Sequence, residues 1–217
     1  ALALSIVNDV AIRQGKSVAF FSLEMSTYET ICRLICQLTG ISFKDVYKGK
    51  IKKQDLDKYN SAREIISKSD IYFDDSFGMT VGEIRSKIRK LIAKEDISLI
   101  VLDQLEQING YEFLAPHLRL DKIVYQIKEC TKEFNIPILL NHQLNRNITD
   151  RRYKNATPQL SDLNQAGEKP ANQVWAIVHN KDDADNILSS KIKMMKNRNG
   201  PKIEFGVTFV GERMLFS

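Results

Sequence analysis

The stretch SVAFFSLEMS, residues 17–26, decides the fold class of this chain. Its apolar run from Val18 to Leu23 is too short for most helices and has no polar face, which is typical of a strand buried on both sides. The run leads directly to a single acid, Glu24. We therefore predict a central strand of a covered sheet, with a carboxylate just beyond its carboxyl end.

Further apolar runs extend this pattern along the chain. SLIVLD (98–103) and IPILLNHQ (136–143) predict two more buried strands, and QVWAIVHN (173–180) predicts a fourth. Amphipathic helical segments separate the first three runs, and KIKMMKNRNGPKIEFGVTFV (191–210) predicts two strands around the turn signal Asn199-Gly200. The sequence thus predicts an α/β fold: a mainly parallel sheet covered by helices on both faces, with a C-terminal antiparallel hairpin.

Composition excludes several classes of protein. The 217 residues are 43% hydrophobic and 27% charged, and no apolar run approaches the roughly 20 residues that span a bilayer, so we expect no membrane. The net charge of +5 permits a polyanionic partner without requiring one. The cysteine count of 3 is odd, and Cys32 and Cys36 lie one helical turn apart without metal-ligand spacing. These features favour buried free thiols in a reducing, cytosol-like compartment.

Polar residues follow three consecutive predicted strands. Glu24, Asp103 and the pair His142-Gln143 all come where an apolar run stops. In open α/β sheets, ligands bind at the carboxyl ends of the strands, so these residues form a candidate site. LIVLD (99–103) has the pattern of a Walker B strand, whose aspartate binds Mg²⁺ in nucleoside triphosphatases. Glu24 would then orient or deprotonate the attacking water, and Gln143 would sense the γ-phosphate.

The predicted hairpin contributes a pair of cations. Lys196 and Arg198 are two apart on a strand, so both project from one face, next to a rigid turn. This arrangement suits contact with a phosphate chain. The alternative is an edge strand protected by positive charge, and the pattern by itself does not decide between the two.

The motifs that carry chemistry resemble those of the DnaB family of replicative helicases. FFSLEMS (20–26), SLIVLDQLEQI (98–108), IPILLNHQLNR (136–146), LSDLNQAG (160–167) and KNRNGP (196–201) follow the family's order and approximate spacing. The resemblance covers essentially the whole chain and implies a RecA-like motor domain over residues 1–217. It further implies a hexameric ring that hydrolyses ATP, with Mg²⁺, between subunits and pulls single-stranded DNA through its centre.

The resemblance also assigns roles residue by residue. Glu24 matches the catalytic glutamate, Asp103 the Walker B aspartate that binds Mg²⁺, and Gln143 the glutamine linking nucleotide state to the DNA loops. Lys196 and Arg198 match the lysine and the arginine finger donated to the neighbouring subunit's nucleotide. The last assignment is the DNA-binding loop, in which the backbone-contact positions would be Asn164, Gln165 and Gly167.

Departures from the family pattern shape what we expect of this chain. It contains no G-x-x-x-x-G-K-[ST] segment, and ALALSIVNDVA (1–11) is similar to the helix that follows the family's P-loop. We therefore expect that loop to end immediately before Ala1 and the isolated chain to bind ATP weakly and be inactive. Asn164 stands where the family usually has arginine, and Gln104 where an aromatic residue commonly follows the Walker B aspartate.

The remaining expectations concern partners and alternatives. The resemblance implies contacts with primase and a helicase loader through an N-terminal helical domain that this chain lacks, and a cytoplasmic, nucleoid-associated location or its organellar or phage equivalent. One alternative is another RecA-like ATPase, of the RadA or KaiC type. Another is a non-catalytic DNA-binding ring module that has lost its P-loop.

Overall fold

A computed structural model of the chain describes residues 1–143, 160, 169–181 and 187–216. At its centre is a four-stranded parallel sheet in the order β2-β1-β3-β4. The strands are β1 (Ser17–Ser22), β2 (Ile71–Asp74), β3 (Ile97–Asp103) and β4 (Ile138–Leu140). This sheet confirms the predicted fold class.

Helices cover both faces of the parallel sheet. The α-helices are α1 (Leu2–Val7), α2 (Thr27–Thr39), α3 (Phe43–Tyr47), α4 (Leu56–Lys68), α5 (Val81–Ile92) and α6 (Pro116–Phe134). A π-helical segment, Asn8–Arg13, continues α1. Short 3-10 turns lie at Lys53–Asp55, Leu105–Gln107 and Gly211–Arg213.

Two hydrophobic cores result from the alternation of side chains along β1. Phe21 packs with residues of α5 and α6 on one face, whereas Phe20 packs with residues of α1, α2 and α4 on the other. Both phenylalanines are buried, as the unbroken apolar run predicts. This double burial makes β1 a rigid support for the residues that follow it.

Local capping explains where the helices begin and end. The Ser26 hydroxyl accepts a hydrogen bond from the Glu29 backbone N–H at 3.2 Å, and α2 stops at Gly40, whose φ of 75° is left-handed. At the start of α5, Thr80 and Glu83 form a complete capping box. These caps satisfy backbone groups that the helix itself leaves unpaired.

The strand predicted at residues 173–180 forms, but the prediction that it is buried in the parallel sheet was wrong. Residues 173–180 belong to β5 (Gln173–Lys181), which pairs antiparallel with β6 (Ile187–Asn197) in a separate sheet of order β5-β6-β7. Trp175 on β5 is 46% exposed. An apolar run shows that a strand forms, but it does not specify which neighbour the strand pairs with.

The C-terminal hairpin was predicted correctly, with β6 pairing antiparallel to β7 (Glu204–Val207). A final pair, β8 (Phe209–Val210) and β9 (Leu215–Phe216), follows it. The Gln37 amide donates to the Met214 carbonyl at 2.7 Å, which ties this last segment to α2. In the part of the chain that the structure describes, no helix is long and apolar enough to cross a membrane.

The predicted third strand is shorter than its apolar run suggests. β4 spans only Ile138–Leu140, and its side chains are half-buried. Within the described ranges, β4 has a strand neighbour on one side only, β3. Its edge position explains the partial burial, because an edge strand is covered less completely than a central one.

The cysteines give a direct test of the two cores. Cys32, Cys36 and Cys130 are buried and form no disulfide, and burial raises the pKa of the Cys36 thiol to about 12. We expect the native chain to react slowly with a thiol reagent such as DTNB, because the reactive thiolate is scarce and shielded. Unfolding in guanidinium should release all 3 thiols of the sequence. Rapid labelling of the native protein would contradict this packing.

Candidate functional site

The carboxyl ends of β1, β3 and β4 lie side by side. Ser22 of β1 is in register with Asp103 of β3, and Leu102 is in register with Leu140 of β4. Glu24, Asp103 and the segment 141–143 therefore follow adjacent strand ends, where the sequence placed them. This edge of the sheet is the candidate site.

A tightly bonded turn presents Glu24. The Ser22 hydroxyl donates to the Met25 carbonyl at 2.7 Å, and the Leu23 N–H donates to the Asp103 carbonyl at 2.6 Å. Beyond the turn, the Thr27 N–H donates to the Asp75 carboxylate at 2.8 Å. Glu24 itself is exposed, although Leu23 beside it is buried. The turn thus holds the Glu24 backbone firmly and leaves its carboxylate accessible.

Asp103 is oriented by a residue that the sequence analysis missed. The Asn141 side-chain amide donates to Asp103 Oδ1 at 2.9 Å. Asn141 is fixed in turn by its backbone, which donates to the Leu102 carbonyl at 3.0 Å and accepts from the Leu105 N–H at 2.9 Å. The available signal was that Asn141, not His142, is the first polar residue after the third apolar run. The Asp103–Gln104 peptide bond is cis.

A second missed residue, Glu106, lies in the 3-10 turn after β3. Its Oε1 is 2.6 Å from His142 Nδ1 and accepts a hydrogen bond from the Gln143 N–H at 2.9 Å. Burial by itself raises the pKa of Glu106, but these hydrogen bonds outweigh burial and hold the pKa below its usual value. Both residues predicted after β4 are therefore bonded to this carboxylate.

Lys196 lies in β6, whereas Arg198 lies just beyond the end of that strand rather than on it as predicted. Their side chains both donate to the Lys169 carbonyl, at 3.1 and 3.2 Å. The Arg198 N–H also donates to the Asn172 carbonyl at 2.9 Å. The two cations are thus held together on the antiparallel sheet, whereas Glu24 and Asp103 are built on the parallel sheet.

A third cation from α6 joins this pair. Lys128 bonds to the Asn172 side chain, and its pKa is lowered by burial and by the nearby charges of Arg198 and Lys132. We call Lys128, Lys196 and Arg198 the basic cluster. Like charges held this close favour an anion as a partner.

The predicted DNA-contact residues Asn164, Gln165 and Gly167 lie outside the described residues. Among the residues that the structure does describe, no group of three or more His, Cys, Asp or Glu side chains could hold a metal ion. Asp103 alone still fits Mg²⁺, because that ion is commonly bound through one or two carboxylates together with substrate phosphates and water.

The fold and the site define a RecA-like α/β domain: a parallel sheet covered on both faces, with acids at its carboxyl edge and an antiparallel extension. Its fold matches a solved structure of a DnaB-like replicative helicase, described with its interactions with primase, at a TM-score of 0.88. That match has 24% identity and covers 99% of this chain and 53% of the other. The ATPase domain of G40P matches at a TM-score of 0.85 and 23% identity, covering 94% and 75%.

The family described as DnaB-like helicase C terminal domain matches residues 1–217, and the chain belongs to this family. The replicative DNA helicase DnaC of Bacillus subtilis is 31% identical over 220 residues, covering 98% of this chain and 48% of that protein. A probable replicative DNA helicase of Guillardia theta is 34% identical over 203 residues, covering 92% and 33%. The chain spans about half or less of the length of these curated relatives.

Proposed function

We propose that this chain is the motor of a replicative DNA helicase, which couples ATP hydrolysis to movement along single-stranded DNA and to duplex unwinding. The observation that carries the proposal is the pairing of Glu24 and Asp103 on adjacent strand ends. The hydrogen bond from the Leu23 N–H to the Asp103 carbonyl, at 2.6 Å, joins the two ends directly. A metal-binding acid and a water-orienting acid side by side suit hydrolysis of a phosphoanhydride.

The surroundings of Asp103 and Glu24 suggest a different role for each carboxylate. Asp103, half-buried and oriented by Asn141, would hold Mg²⁺, which when bound neutralises charge on the phosphate oxygens. Glu24 is exposed on a rigid turn, so its carboxylate is free to accept a proton from a water molecule. Gln143, in the segment 141–143 that follows β4, would contact the γ-phosphate and report its presence to the DNA loops.

The basic cluster would act on a neighbouring subunit. Lys196 is partly exposed in β6 and Arg198 is exposed just beyond it, on a sheet separate from the one that carries Glu24 and Asp103, which suits donation across an interface in a homo-oligomer. An arginine supplied in this way stabilises charge that develops in the transition state. We propose the hexameric ring implied by the family pattern as that assembly, located in the cytoplasm or its organellar or phage equivalent.

The DNA contact is part of the same proposal. We assign it to Asn164, Gln165 and Gly167, whose amide and backbone groups would meet phosphates without reading bases. A structure similar in fold has been described with primase, and we propose primase and a helicase loader as partners of the full-length protein.

The test measures ATP hydrolysis and unwinding of a forked duplex by the full-length protein, with and without single-stranded DNA. We expect DNA to stimulate hydrolysis, and unwinding to require both ATP and Mg²⁺. DNA-stimulated hydrolysis without unwinding would favour a recombination-type RecA-like ATPase instead. DNA binding without hydrolysis under any condition would favour a non-catalytic ring module.

A further inference from the structure

The Glu106 carboxylate connects the ends of two strands through one oxygen atom. Oε1 lies 2.6 Å from His142 Nδ1 and 2.9 Å from the backbone nitrogen of Gln143. The side chains of His142 and Glu106 are 10% and 29% exposed, so solvent screens this pair only in part. Charge-assisted hydrogen bonds in such surroundings are stronger than neutral ones.

This connection begins where the regular sheet stops. The register between β3 and β4 ends at Leu102 and Leu140, and the bonds made by the Asn141 backbone extend it by one residue. The next two residues, His142 and Gln143, are held to the β3 side by Glu106. The position of the Gln143 backbone therefore depends on a side chain rather than on strand pairing.

We propose that Glu106 is a positioning residue for Gln143, which places the Gln143 amide where it contacts the nucleotide and couples hydrolysis to DNA binding. This inference rests on the proposed function. Glu106 lies 3 positions beyond Asp103 in the sequence, so one turn would connect the metal-binding acid to the coupling glutamine. The lowered pKa of Glu106 supports the geometry, because it keeps the carboxylate ionised as an acceptor for both donors.

The cost of this arrangement argues against a purely stabilising role. Glu106 Oε2 is buried and, in the ranges that the structure describes, meets no hydrogen-bond donor. A buried polar atom without a partner is destabilising, more so if it is charged, so the second oxygen offsets part of the stabilisation that the first contributes. The arrangement is explained more simply if the Oε1 acceptor is needed to hold Gln143.

The test compares Glu106→Ala and Glu106→Gln in the full-length protein. Glu106→Ala removes the acceptor, and we expect DNA-stimulated kcat to fall about 10-fold with less than about 2-fold change in KM for ATP, since a 1 Å misplacement can cost about 100-fold. Glu106→Gln retains one acceptor oxygen and should restore kcat to within about 3-fold of the original. Glu64→Ala, an exposed glutamate on α4 paired with Lys68, is the matched control and should change nothing.

A double-mutant cycle with Gln143→Ala separates positioning from general destabilisation. If Glu106 acts through Gln143, adding Glu106→Ala to Gln143→Ala should cause no further loss of kcat. If the kcat loss in the double variant is the product of the two single losses, the inference is overturned. A Glu106→Gln variant as impaired as Glu106→Ala would overturn it as well. If the unsubstituted full-length protein shows no DNA-stimulated hydrolysis, the proposed function is overturned as well. If that protein is active and Glu106→Ala leaves its kcat unchanged, this inference alone is overturned.

Discussion

Glu24→Gln is expected to reduce ATP hydrolysis by the full-length protein about 10²- to 10⁴-fold, the range typical of a lost general base. The replacement has nearly the same shape, and the hydrogen bonds of the turn come from Ser22, Leu23 and Thr27 rather than from the Glu24 side chain. The fold should therefore survive while the proton acceptor is lost. Steady-state hydrolysis at saturating ATP and DNA measures the change.

Two further measurements make the Glu24 result specific. Nucleotide binding should persist in the variant, because Asp103 and the basic cluster are untouched, so a fluorescent ATP analogue should still bind. Glu64→Gln, on the exposed face of α4, should hydrolyse ATP at the original rate. If Glu24→Gln hydrolyses ATP within about 3-fold of the unsubstituted rate, the loss is far smaller than the loss expected for a missing general base. That result would exclude Glu24 as the base.

Arg198→Ala is expected to lower kcat by about 10³-fold or more, the range seen for arginine fingers. Arg198 is exposed, and its side chain contacts the Lys169 carbonyl at 3.2 Å, so truncation leaves no buried group unpaired. Its backbone bond to Asn172 should remain. Arg198→Lys should recover little of the rate, because a lysine cannot reproduce the bidentate geometry of a guanidinium. Arg13→Ala, at an exposed site, serves as the control.

Mixing variants tests whether Arg198 acts across an interface. In a ring of the proposed kind that combines Arg198→Ala subunits with Glu24→Gln subunits, some interfaces would pair an intact Glu24 with an intact Arg198. We therefore expect mixtures to regain hydrolysis that neither variant shows alone. No recovery, with subunit exchange verified by labelled subunits, would contradict the assignment of Arg198 to the neighbouring site.

The parts of this structure that the sequence predicted are those governed by local patterns. β1 and β3 were predictable because a short, continuous apolar run has few other solutions in a covered sheet. The placement of Glu24 and Asp103 at one edge followed from parallel strands sharing a direction.

The parts that it did not predict depend on partners distant in the chain. Asn141 bonds to Asp103 38 positions away, and Glu106 bonds to His142 36 positions away. No local spacing marks such pairs. The sheet to which β5 belongs was predicted wrongly for the same reason. Its apolar residues were compatible with either sheet, and the pairing with β6 decided between them.

The sequence by itself determined the layered α/β fold, the acids at the strand ends and the cation pair near the hairpin, because short-range periodicity and chain direction control each of these. Only the tertiary structure decided which side chains orient those acids and which sheet the hairpin joins. The physical reason is that hydrogen bonds between strand ends require a specific register and approach in three dimensions. The position of Glu24 is predictable from the strand that precedes it. The orientation of Asp103 and the position of Gln143, by contrast, depend on Asn141 and Glu106, which lie on neighbouring strand ends.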